Sequence, residues 1–286
     1  MNYAQRRDSA TSPIFIGAGW FASLIAFGFF AVLIVHLIRG GAEVLTLDFL
    51  LSAPELSGRQ GGIGPILVST VVLLSICLIT TVPLGLATAA FLTESMQRHR
   101  KMENLTRTSL DILAGMPSIV FGLFGNAFLC KTLGLGFSLL SGGLTLMFMA
   151  LPLFVRTAEE GLRSTPRELV HAAASLGFSR WALFRSVLLP HAVPSIVVGI
   201  VLSVGRAIAE TAALIFTSGY VDRMPESWLD SGRSLSVHIF DLSMNVPGGE
   251  RMAYASSLTL IASVLLVNSI AALLARRFLA GNWRMS

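Results

Sequence analysis

Six long stretches of apolar residues, separated by short polar segments, dominate this chain. Ile14–Ile38 holds no ionisable side chain except His36. Gly61–Thr93 holds none and is longer than one membrane crossing needs, so its glycine-rich start (Gly61, Gly62, Gly64, Pro65) reads as a loop leading into a helix. Ile112–Cys130, Thr132–Val155, Leu188–Val221 and Met252–Ala275 follow, and only His191, Arg206 and Glu210 interrupt the fifth. A helix crossing ~30 Å of hydrocarbon at 1.5 Å per residue needs about 20 apolar residues. Each run therefore predicts one membrane helix. The strands of a membrane barrel would read as ~10-residue alternating segments, and no such alternation occurs. The expected fold is all-α, a polytopic membrane protein with six transmembrane helices in one domain over residues 1–286. The first run exceeds the apolar region of a signal peptide and no A-x-A-like cleavage site follows it, so it is expected to be a retained span.

Composition agrees. Charged residues make up 13 % and hydrophobic residues 53 % of the 286, against about 25 % charged in soluble domains. A mean hydropathy of +0.73 excludes a disordered chain, whose signature is low hydrophobicity, and a water-soluble globule of this size.

The basic residues set an orientation. With the N-terminus on one side, that side carries Arg6 and Arg7, the 94–111 loop, the 156–187 loop, and Arg276, Arg277 and Arg284 at the C-terminus, fourteen Lys and Arg in all. The other side carries six, and Arg206 within the membrane completes the 21. The positive-inside rule then predicts both termini in the cytoplasm. The pI of 9.9 is largely this orientation charge, and no nucleic-acid partner is needed to explain it. Cys77 and Cys130 each lie in an apolar run and read as small buried hydrophobes.

Catalytic signatures are missing. There is no H-E-x-x-H, C-x-x-C or G-x-S-x-G. The nearest approach to a phosphate-binding P-loop runs from Gly125 to Lys131-Thr132, but Cys130 occupies the position that must be glycine. The chain is expected to have no ATPase of its own, and no cofactor or metal is implied.

The longest loop predicted to be cytoplasmic, about 159–189, is patterned. Thr165-Pro166-Arg167-Glu168 carries a capping Thr, Pro at the first helical position and Glu three residues after the cap. A short helix through Ala172–Leu176 is expected, with Gly177 to end it. Ser179 can cap a second helix whose Trp181, Phe184 and Leu188 share one face. His171-Ala172-Ala173, then Gly177, then Val187-Leu188-Leu189-Pro190 resembles the "EAA" loop of ABC-importer permeases, E-A-A-x3-G-x9-I-x-L-P, with His171 in place of Glu. The resemblance implies the type I importer permease architecture. It also implies that Glu168, His171, Ala172, Ala173, Gly177, Trp181 and Pro190 form a dock for a separate ATPase, with Glu168 able to take over the missing acidic contact.

Arg206 and Glu210 stand at i, i+4 in the fifth run, a spacing that lets them pair on one helix face. Charges at membrane depth are expensive. The pair is either an internal brace or an Arg that attracts an anion while Glu210 orients it. Three segments, at 61–66, 113–122 and 206–212, resemble the phosphate-specific (Pst) permease pair, and 234–239 is similar to its PstA-type member. The family usually has Gly at Ala209 and Pro at Ser236. This resemblance runs from about residue 60 to 280. It implies a substrate pathway at Arg206, Glu210, Thr211, Pro117 and Ser118, with Pro117 and Ser118 beginning a break in the third helix. It also implies a PstC-type second permease, PstB-type ATPase subunits, an extracytoplasmic phosphate-binding protein, and the bacterial inner membrane as the site. A permease for another oxyanion or a phosphonate, or an autonomous ion-coupled transporter, remains an alternative. An autonomous carrier would have no use for an ATPase dock.

Overall fold

The first apolar run forms helix α1 (Pro13–Gly41) in the computed structural model, which describes residues 13–94 and 100–282. Arg6, Arg7, Arg98 and Arg284, all counted in the orientation charge, lie outside those residues. A short α2 (Leu47–Leu51), capped by the Thr46 hydroxyl, and a two-residue hairpin of β1 (Pro54–Glu55) with β2 (Gln60–Gly61) lead into α3 (Gly64–Glu94). The glycine-rich start of the second run is thus a loop up to Gly64. Next come α4 (Arg100–Gly115), α5 (Ser118–Gly125), prolonged to Thr132 by a wider π turn, and α6 (Leu139–Arg163). The patterned loop forms α7 (Arg167–Ser175) and α8 (Arg180–Leu183). A π turn over Phe184–Leu188 joins α8 to α9 (Leu189–Ile208) without a break. Helices α10 (Ala212–Ile215), α11 (Leu235–Met244) and α12 (Glu250–Asn282) complete the chain.

Five of these helices are long and apolar enough to span a membrane, and six spans result if α4 and α5 count as one. That third span, placed over 112–130 by its apolar run, is broken where Pro117 and Ser118 were expected to break it. Its two parts meet at 106°. Pro117 lacks an N–H and disfavours helical geometry at Met116, so the helix stops at Gly115 and restarts after Pro117, whose own backbone is extended at φ −61, ψ 143. From Ser118 to Thr132 the second part covers only about 22 Å at 1.5 Å per residue, short of a full crossing.

Helix α6 is the centre of the bundle, with 67 % of its apolar window buried. Close approach depends on small residues, because lipid provides no hydrophobic drive between helices. A Cβ at Gly143 would come within 2.6 Å of Ile76 on α3. Gly161 meets Ser195, and Gly199 meets Thr157, so α6 and α9 touch at two glycines from opposite sides. At the α7–α8 end, Leu92, Leu110, Phe154, Leu162 and Leu188 form a buried cluster against which Val170, Leu183 and Phe184 pack. Helix α1 buries none of its apolar window, and Trp20 and Phe27 face outward. Its contact is with α12, where Gly40 and Gly41 lie against Tyr254 and Ala255, and His36 Nε2 is 3.2 Å from the Tyr254 hydroxyl.

Candidate functional site

The fifth run does not continue as one helix to Val221. Helix α9 ends at Ile208, and Ala209 (φ −86, ψ −4) turns the chain out of it. Arg206 therefore sits in the last turn, where the negative end of the helix dipole favours a cation. It is exposed, and it makes no ion pair among the described residues. The expected Arg206–Glu210 pair does not form, because the i, i+4 geometry requires a helix that has already stopped. Glu210 instead turns to α10, where its Oε1 accepts from the Ala213 N–H at 3.4 Å. Its backbone oxygen accepts from the Ser236 hydroxyl at the start of α11. Thr211 precedes α10 without a side-chain cap.

Helix α5 packs on this break. Gly122 lies against Ala213, and the Asn126 amide donates to the Phe216 carbonyl at 2.8 Å. The broken third span, opened by Pro117 and Ser118, and the break at Ala209–Thr211 thus belong to one packed unit. Nothing in the apolar pattern marked Asn126, but a lone amide inside a membrane run is a signal in itself.

In the patterned loop of α7 and α8, Gly177 has φ +76, and the N–H groups of Gly177 and Phe178 bond the carbonyls of Ala174 and Ala173. This is the left-handed helix end the sequence predicts. The Ser179 hydroxyl caps α8 at Ala182 N–H, also as predicted. Thr165 does not cap. Helix α7 starts at Arg167 behind Pro166, and the Thr165 hydroxyl is buried without a partner. Glu168, His171, Ala172, Gly177, Trp181 and Pro190 are exposed while Ala173 is buried. Trp181 and Phe184 stack at 5.8 Å, and Phe184 packs against the buried cluster that holds Leu188. Along the π turn Leu188 is buried, while Trp181 on α8 remains 68 % exposed.

Two charged nodes escaped the sequence pattern. Glu159, buried on α6, receives Arg107 of α4 through two bonds (2.6 and 3.3 Å) and Arg163 at 2.8 Å. At the other end of the bundle, buried Arg233 reaches Asp241 at 3.0 Å, the Tyr220 carbonyl at 2.9 Å and His238 Nδ1 at 3.3 Å. Arg163 stands at i, i+4 from Glu159, but Arg107 is 52 residues away and Arg233 lies outside the helix that carries Asp241 and His238, so spacing alone gives no sign of those links.

Solved structures share this arrangement of helices. A bacterial alginate ABC transporter, in complex with an alginate-bound periplasmic protein, aligns over 92 % of this chain and 94 % of its own with a TM-score of 0.69 at 15 % identity. The MetNI methionine ABC transporter aligns over 76 % and 94 % with a TM-score of 0.60 at 18 % identity. Fold and loop together define a membrane permease subunit of an ABC importer, a class that works with a second permease, a separate ATPase and a substrate-binding protein. Residues 81–280 match the family model for the binding-protein-dependent transport system inner membrane component, and the chain belongs to that family. Among its relatives, the probable ABC transporter permease protein YqgI of Bacillus subtilis is 32 % identical over 82 % of this chain and 84 % of its own. The phosphate transport system permease protein PstA 1 of Mycobacterium tuberculosis is 34 % identical over 93 % and 80 %, and the Mycobacterium leprae PstA is 33 % identical over 91 % and 83 %.

Proposed function

We propose that this chain is the PstA-type permease of a phosphate importer in the bacterial inner membrane, with both termini cytoplasmic. It would pair with a PstC-type permease, couple to PstB-type ATPase subunits, and receive phosphate from an extracytoplasmic binding protein. The observation that carries the substrate reading is Arg206, an exposed guanidinium at the end of an apolar helix with no carboxylate partner among the described residues. An unpaired Arg presents a planar fork of donors that suits a phosphate oxyanion. Relatives named for phosphate transport, similar over most of the chain, support the same substrate. Thr211, Pro117 and Ser118 flank the two packed breaks and belong to the same pathway. Glu210 holds the break rather than screening the arginine.

The loop supports ATPase docking because its motif residues other than Ala173 are exposed, on α7 ended by the Gly177 turn, on α8 capped by Ser179 and at the start of α9, while Ala173 and Leu188 are buried beneath them. The test of the substrate reading is uptake by the four-component complex in vesicles. Arg206→Gln is expected to cut phosphate uptake at least ~10-fold while the complex still assembles, and Arg206→Lys to recover only part, since an ammonium keeps the charge without the fork. Normal uptake by Arg206→Gln would overturn it.

A further inference from the structure

We propose that Glu159 and Arg107 form a positioning pair that locks α4 to α6, so that movement of the coupling loop at the end of α6 reaches the bend between α4 and α5. Glu159 is 7 % exposed and lies one helical turn before Arg163, the last residue of α6. Arg107 grips it with both terminal nitrogens, across 52 residues of sequence. A second carboxylate, Glu103 on α4, holds the Nε of Arg107 at 3.1 Å. The guanidinium is thereby held at all three of its nitrogens, and moving α4 away from α6 would break both of its bonds to a buried carboxylate and leave Arg163 as that carboxylate's remaining ion pair. Arg163 completes the node from within α6 and donates weakly to the Leu92 carbonyl on α3 at 3.4 Å.

The node's place in the chain gives it a direction. On α4, Gly115, where the third span bends through 106°, lies eight positions beyond Arg107. Downstream of it on α6, Arg163 is followed directly by the α7–α8 loop. The paired geometry is end-on, two bonds from the terminal nitrogens to the two carboxylate oxygens, a form that resists rotation as well as separation. Leu110 of α4, Leu162 of α6 and Val170 of α7 meet in the buried cluster next to it. An apolar contact of that kind can slide, whereas a bidentate ion pair fixes register. This inference rests on the reading of α7–α8 as the ATPase dock.

The test uses the assembled complex, with Cys77 and Cys130 replaced and spin labels at Asn104 on α4 and Glu160 on α6, both exposed. With Arg107 intact, the distance distribution between the labels is expected to stay single and unchanged when ATP and vanadate are added. In Arg107→Gln it is expected to broaden or shift with nucleotide, and phosphate moved per ATP hydrolysed should fall at least ~10-fold. Arg107→Lys should restore a single distance in part, and Arg163→Gln, which leaves the α4 link in place, should behave as the parent. An unchanged distance in Arg107→Gln overturns the pair as a linkage. So does loss of complex assembly in Arg107→Gln and Arg107→Lys alike, which would make the node a brace of the fold. The distance readout does not depend on the cargo. A parent complex that keeps the label distance but fails to accumulate phosphate counts against the substrate reading alone.

Discussion

Arg233 and His238 illustrate how a buried polar group dictates its neighbour's protonation. The Arg233 guanidinium can only donate, so His238 Nδ1 must accept, and the ring is held neutral with its proton on Nε2. Burial first, and then the Arg233 charge, push the His238 pKa down from 6.5 to about 3. With the folded pKa below the unfolded one, this contribution to stability is complete above pH 6.5 and drains away as pH falls toward 3. The expected slope is about 1.4 kcal/mol per pH unit below 6.5. Thermal unfolding of the purified protein between pH 7 and 4.5 should show a falling midpoint. His238→Asn, whose side-chain oxygen can accept from Arg233, should flatten that slope while keeping the neutral-pH midpoint within a few degrees. An equally steep slope in His238→Asn would assign the acid sensitivity to other groups. Neither this node nor the Arg107–Glu159 link was legible in the sequence. Arg107 and Arg163 were counted as orientation charge, a role that any surface arginine fills, and only the fold brings Arg107 to Glu159.

At the scale of elements, local chemistry was readable wherever it acts within a few residues. Pro117 breaks the third span, Gly177 ends α7 with a positive φ, and Ser179 caps α8, each at its expected position. The end of α9 was not readable, because residues 207–218 contain no proline or glycine to stop a helix and the apolar run continues. That end is held by distant partners, with α11 bonding the Glu210 carbonyl through Ser236 and α5 bonding Phe216 through Asn126. The π turn at Phe184–Leu188 was hidden for a similar reason, since its sequence fits an ordinary helix equally well. Gly177 offers a test of this scale. Its φ of +76 is closed to proline, which is fixed near −65°. Gly177→Pro should leave membrane insertion intact but abolish co-purification with the ATPase and stimulation of its activity. Retained stimulation would remove the loop from the docking reading.

For the whole molecule, orientation is the property most open to direct measurement. On a background lacking Cys77 and Cys130, a membrane-impermeant thiol reagent added outside intact cells should modify a cysteine at Met244, 72 % exposed at the end of α11. It should spare one at Leu176, 77 % exposed at the end of α7. Labelling of Leu176 from outside would reverse the inferred topology. The unbroken passage from α8 through the π turn into α9 has a mechanical meaning of its own. From Arg180 to Ile208 it forms a rod about 43 Å long at 1.5 Å per residue, seated on α6 where Ser195 meets Gly161 and Gly199 meets Thr157. If those glycine contacts act as the fulcrum, the docking arm measures about 26 Å and the arm carrying Arg206 about 14 Å. A push of ~4 Å by the ATPase at Arg180 would then swing Arg206 by about 2 Å in the opposite sense. That gearing trades travel for force, and it would turn the arginine away from a bound anion by roughly the distance that separates a hydrogen bond from none.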